Sequence, residues 1–82
     1  MVIIEYDPQF EKIARKIKDN LLKIKIKKQI LKIGGSPEIG KPMRYTRKGT
    51  REVYIHPFRL SYLYIKEEDK IIFLDLYHKD EQ

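Results

Sequence analysis

Cysteine is absent from this 82-residue chain, which excludes disulfide staples and thiolate chemistry and fits a reducing compartment, the cytoplasm. Histidine is scarce. His56 and His78 are the whole complement, too few for a Cys- or His-based zinc site, and neither a metal nor another cofactor is expected. No apolar run approaches the ~20 residues that a membrane helix needs, no signal peptide is expected ahead of the first strand pattern, and no repeat or low-complexity linker interrupts the chain. Acidic residues are missing from one stretch in particular: Lys41, Arg44, Arg47, Lys48 and Arg51 follow one another with no Asp or Glu between them.

What is present is positive charge on a small frame. The net charge is +6, a sign that raises encounter rates with polyanions such as RNA, DNA or an acidic protein. The plain alternative is a coat of solvated lysines on the helices. The length permits one domain, residues 1–82, that hides only ~60% of its unfolded-chain surface, so a bound partner can contribute to stability.

Val2 to Tyr6 is a short β-branched run that predicts an opening strand. Asp7-Pro8 predicts a helix start, with Asp7 as N-cap and proline at the first helical position. Phe10, Ile13, Ala14 and Ile17 follow as one apolar stripe. Asp19-Asn20 breaks the pattern, and Asn20 is expected to cap a second helix whose stripe is Leu22, Ile26, Ile30 and Ile33, ending at Gly34-Gly35. Lys23, Lys25, Lys27, Lys28 and Lys32 sit between these positions. The alternating Ile24-Lys25-Ile26-Lys27 could instead form a strand, but the four-residue spacing and the glycines favour helix. Two prolines and a glycine make residues 36–42 a loop.

Met43 to Thr46 is expected as a brief strand turned by Lys48-Gly49, Glu52 to His56 as the next, and Arg59 to Lys66 as its return after Pro57. Lys70 to Tyr77 is the most apolar strand and is therefore expected to be central. The order β-α-α-β-β-β(-β) predicts an α+β domain: a small single-layer antiparallel sheet packed on one face against an N-terminal helical hairpin, the other face open. A cationic sheet with one imidazole at a strand end suits phosphate chemistry.

Ser36-Pro37-Glu38-Ile39-Gly40-Lys41-Pro42-Met43, Arg51-Glu52-Val53-Tyr54, Phe58-Arg59-Leu60-Ser61-Tyr62 and the terminal Tyr77-His78-Lys79-Asp80-Glu81-Gln82, in this order, resemble the RelE/ParE superfamily of toxins. These are the toxin halves of type II toxin–antitoxin systems, many known as plasmid stabilization proteins. The resemblance covers essentially the whole chain and rests on order and spacing together. It implies a RelE-like fold and a metal-independent endoribonuclease that cuts mRNA in the ribosomal A site, the RNA's 2′-hydroxyl attacking the adjacent phosphate to leave a 2′,3′-cyclic phosphate and stopping translation. In the ParE branch the same fold inhibits DNA gyrase and cuts nothing; a plain RNA- or ribosome-binding module, for which charge alone suffices, is the remaining alternative. Either branch implies a cognate antitoxin, a small acidic RelB-like protein, and no membrane.

Such an attack needs a base near the 2′-oxygen, positive charge on the phosphate and an acid at the 5′-oxygen. Arg59 sits where the family carries its strand arginine, and a guanidinium can hold phosphate oxygens bidentately; its alternative is a cross-strand ion pair with Glu52 or Asp75. His78 ends the last strand, where ribosome-dependent relatives place a catalytic histidine. Lys79 follows where they carry an aromatic residue, and Tyr77 is expected on the opposite face from His78. The two strand lysines of some relatives are missing, replaced around Glu52, Val53 and Tyr54. Glu52, Glu81 and His56 are the possible bases, against plain readings as a strand-edge charge, a solvated charge and a turn histidine. Arg51 and Arg44 are expected at flanking phosphates, and Lys41, Arg47, Lys48 and Lys79 complete the RNA-binding set. Tyr54 and Tyr45 are candidates for base stacking, whereas Tyr62 and Tyr64 fit core packing.

Overall fold

Asp7 decides where the first helix begins. Its carboxylate accepts the Gln9 amide at 2.8 Å, Pro8 occupies the first turn, and helix α1 runs Pro8–Lys16. The chain was described by a computed structural model covering residues 2–43 and 47–78. Helix α2, Asn20–Gly35, is capped one residue earlier than expected: Asp19 accepts the amides of Leu21 (2.9 Å) and Leu22 (3.3 Å), and Asn20 is already helical. A carboxylate serves the orphan amides as well as an amide side chain does and adds a charge that the helix N-terminus favours. Ile24 to Lys27 is helix, and Gly34 and Gly35 extend α2 to its cap at Ser36.

The strands are β1 (Ile3–Tyr6), β2 (Lys41–Pro42), β3 (Thr50–Ile55), β4 (Phe58–Ile65) and β5 (Lys70–His78). They form one sheet in the order β1-β5-β4-β3-β2. The α+β architecture is the expected one, with a refinement at the edge. Strands β2 to β5 are antiparallel, while β1 pairs parallel with β5, from Ile3 opposite Lys70 to Tyr6 opposite Phe73. Strand β5 is interior, and β4, with Leu60 to Leu63 buried in succession, holds the middle place. The short strand β2 falls at Lys41–Pro42, at the end of the stretch expected to be loop, and Met43, where a strand was expected to start, is not part of it; Arg44, Tyr45 and Thr46 lie outside the described residues. Pro42 is tolerated there because β2 is an edge strand.

The core lies between the helices and one sheet face, with Ile55, Leu60, Tyr62, Ile71, Phe73 and Leu76 meeting Phe10, Ile26 and Ile33. Phe73 is its hub, with ring centroids of Tyr6, Phe10 and Tyr62 at 5.7, 5.9 and 6.0 Å. Strict alternation would place Phe73 and Leu76, three positions apart, on opposite faces. A bulge in the β4–β5 ladder, where Ser61 faces Asp75 but Tyr62 faces Phe73, resets the phase and turns both inward. The same reset sends Asp75 and Tyr77 to the open face.

Tyr62 ties the loop before β2 to the sheet. Its hydroxyl, carried on a side chain with no exposure, donates to the Pro37 carbonyl at 2.8 Å and accepts the Gly40 amide at 2.9 Å. Gly40 is required there, since a Cβ would stand 2.5 Å from that oxygen. Burial pushes the Tyr62 phenol up, opposed by the Gly40 amide and the Arg51 charge. The fold therefore retains the proton more tightly than the unfolded chain; this stabilisation is full below about pH 10 and is lost as pH rises through the folded value. Tyr62→Phe is expected to cost ~1–3 kcal/mol, by leaving two backbone groups unpaired, and to flatten the alkaline end of the stability profile in denaturant titrations.

Candidate functional site

Cross-strand pairing brings polar side chains into two rows on the open face. Tyr54 of β3 lies opposite Arg59 of β4, and Arg59 opposite Tyr77 of β5. In the next row Lys41, Glu52, Ser61 and Asp75 are successive neighbours from β2 to β5. The core residues Leu60 and Leu76 alternate with these positions, so the register that buries the core also aims the rows at solvent.

Glu52 locks the centre. Its carboxylate accepts Arg59 Nη1 at 2.7 Å on one oxygen and the Tyr77 hydroxyl at 2.9 Å on the other. The Glu52 side chain is only 15% exposed, against 35% for Arg59. The ion pair weighed as the plain alternative for Arg59 is thus present, yet it does not exhaust the guanidinium. Among the described residues, Arg59 Nε has no hydrogen-bond partner although the atom is buried. A guanidinium on a partly exposed side chain, with one donor unmet, can accept an anion. Glu52, with both oxygens engaged, is arranged to orient Arg59 and Tyr77.

The other expected residues separate. His78 pairs with Phe58 and so lies on the helix-facing side; the two rings meet edge to face at 5.6 Å. Arg59 and His78, both candidates for the same chemistry, therefore stand on opposite faces of the sheet, and the β5 residue opposite Arg59 is Tyr77. Arg51 also faces away from Arg59. Its Nη1 donates to the carbonyls of Glu38 (2.9 Å) and Gly40 (2.7 Å), so it clamps the loop that Tyr62 holds. Arg47 and Lys48 join Arg51 in lining a cleft of about 590 Å³ that also includes Glu38 and Glu67 and does not include Arg59. Lys41 does reach the rows, beside Glu52. Arg44, Lys79 and Glu81 lie outside the described residues.

Among the described residues, these two rows of the open face are not the cationic surface that the sequence predicts. In the two rows Lys41 and Arg59 are offset by Glu52 and Asp75. A strand pattern does not reveal the bulge, and so does not reveal that Tyr77 stands beside Arg59 and Glu52. Glu52, Tyr54 and His56, at alternate positions, carried a usable signal: Tyr54 and His56 do share a side, with the Tyr54 hydroxyl 2.7 Å from His56 Nδ1.

Residues 4–82 match the family described as ParE toxin of type II toxin–antitoxin system, parDE. No curated protein matches the sequence. Among solved structures, the toxin fold of the Escherichia coli RelBE toxin–antitoxin complex is similar with a TM-score of 0.83 and 20% identity over 95% of this chain and 96% of that one. The RelBE2 complex of Mycobacterium tuberculosis is similar at 0.78 and 19% identity, covering 95% and 98%, and the RelB–RelE complex of Methanococcus jannaschii at 0.74 and 15%, covering 94% and 92%. At such identities the likeness carries the fold.

Proposed function

Because the chain belongs to the ParE toxin family of type II toxin–antitoxin systems, with a RelE-like fold, we propose that it stops translation by cutting mRNA in the ribosomal A site. The reading rests on Arg59: a partly exposed guanidinium, oriented by a carboxylate, with Tyr54 and Tyr77 on its two sides. In the cleavage the RNA's 2′-oxygen bonds to phosphorus and the bond to the 5′-oxygen breaks, leaving a 2′,3′-cyclic phosphate and a 5′-hydroxyl. Negative charge builds on the phosphoryl oxygens as this happens, and a preoriented guanidinium stabilises it. Tyr54, 51% exposed, offers a ring for an unstacked base. The toxin works in the cytoplasm, where its messages are translated. Added to a translation extract, the purified protein should stop synthesis and leave truncated messages mappable by primer extension; intact messages would remove this reading.

A second reading is favoured by one observation. The rows are charge-balanced and Glu52 competes with any phosphate for Arg59, which suits a ParE-type gyrase inhibitor that cuts nothing. Loss of supercoiling by gyrase, with translation unaffected, would select it.

Either toxin needs its antitoxin, and the helices offer that partner a seat. Phe10, Ala14, Ile17, Ile26, Ile30 and Leu31 line an apolar groove of about 330 Å³ between α1 and α2, with Lys23 and Lys27 beside them. Helix α2 contains no acidic residue. An acidic, amphipathic helix matches both features. Reversing Lys23 and Lys27 to glutamate together should weaken antitoxin binding about 10-fold, mainly through slower association and with a reduced salt dependence in surface plasmon resonance.

A further inference from the structure

The sheet sorts the protein's two histidines, and it selects the one that relatives would not. His78 is turned to the helix side against Phe58. His56, the residue after β3, makes a 2.7 Å hydrogen bond with Tyr54 through Nδ1, and their rings meet edge to face at 5.8 Å. Tyr54 in turn lies directly opposite Arg59. Resting on the nuclease reading above, we propose that His56, held by Tyr54, is the imidazole that exchanges a proton with the RNA at the Arg59 face.

The hydrogen bond supplies the orientation that a base requires. In the tautomer that this role requires, Nδ1–H donates to the Tyr54 oxygen, so that Nε2 carries the lone pair and points away from the pair. Nε2 takes the proton of the 2′-hydroxyl as that oxygen bonds to phosphorus. The electron pair of the breaking bond goes to the 5′-oxygen, which takes its proton from solvent water. The resulting imidazolium keeps its bond to Tyr54 and later returns its proton to water. Among the described residues, the titratable and charged groups facing this pair are Arg59 from β4, Tyr77 from β5 and Glu52 from β3, with Lys41 and Asp75 one row over. Tyr54 is a positioning residue in this scheme, and His56 is the catalytic one.

The test is single-turnover cleavage on programmed ribosomes with excess intact toxin, followed across roughly pH 5.5 to 8.5. Wild type should show a rate that climbs with pH and then levels. His56→Gln should lose ~10²–10⁴-fold in rate and the climbing limb with it, while still binding the antitoxin as wild type does. Tyr54→Phe should lower the rate about 10-fold and retain a limb. His78→Gln should stay within about threefold of wild type with the limb unchanged. A His56→Gln protein within threefold of wild type, or a limb that disappears with His78 instead, would overturn this assignment while leaving the nuclease intact. A wild-type protein that cuts no message would remove the nuclease reading and this assignment together.

Discussion

Arg59→Ala is expected to reduce message cleavage by about 10²–10³-fold, the usual cost of removing one preorganised donor from a developing oxyanion. The loss should fall on the chemical step, so single-turnover rates should drop while ribosome association changes little. Arg59→Lys should recover only part of the rate, because an ammonium is a point charge without the planar fork that spans two phosphoryl oxygens. One complication follows from the geometry. Arg59 also neutralises Glu52, whose side chain is 15% exposed, and removing one partner of a shielded ion pair leaves the other uncompensated. Comparing Arg59→Ala with an Arg59→Ala/Glu52→Gln protein separates the two effects: the second change should recover stability lost with the arginine but none of the activity. If Arg59→Ala still cuts messages at the wild-type rate, the guanidinium is structural and the nuclease proposal loses its main support.

The largest effect on stability is expected at Phe73. Its fully buried ring packs within 6.0 Å of the ring centroids of Tyr6, Phe10 and Tyr62. It thus joins β1, α1 and β4 through one side chain. Phe73→Ala is expected to cost ~3–5 kcal/mol, the range for emptying a buried aromatic site. A domain of this size loses about 4–8 °C of Tm per kcal/mol, and its whole stability is of order 5–15 kcal/mol. The variant should therefore melt at least ~12 °C lower in a thermal scan. Phe73→Leu keeps most of the volume and should cost much less. A drop of only a few degrees for Phe73→Ala would mean that the three neighbouring rings collapse into the space, and that the hub is replaceable.

The helices and most of the strands were legible in advance for a local reason. Asp7-Pro8 supplies a cap and a preset dihedral, and the stripe Leu22, Ile26, Ile30 and Ile33 repeats at the helical period. The cap of α2 shifted by one residue because Asp19 and Asn20 are both competent and only the fold chooses between them. The candidate site was read less well. Arg59 and Glu52 are separate candidates in the sequence, but their pairing depends on register between β3 and β4. Arg51 carries the same charge two residues after Gly49, yet its position parity in β3 turns it toward the loop carbonyls of Glu38 and Gly40. Composition does not distinguish these two arginines.

By itself the sequence determined a small α+β toxin scaffold: local capping, periodicity and turn chemistry act within a few residues of chain, and they sufficed for the elements and their order. Which side chains share a face was decided only in three dimensions. Burying both Phe73 and Leu76 requires one residue of slip against β4. That slip carries Tyr77 to Arg59 and takes His78 away from it, because the energy that sets the phase comes from the core and not from the residues at the strand's end.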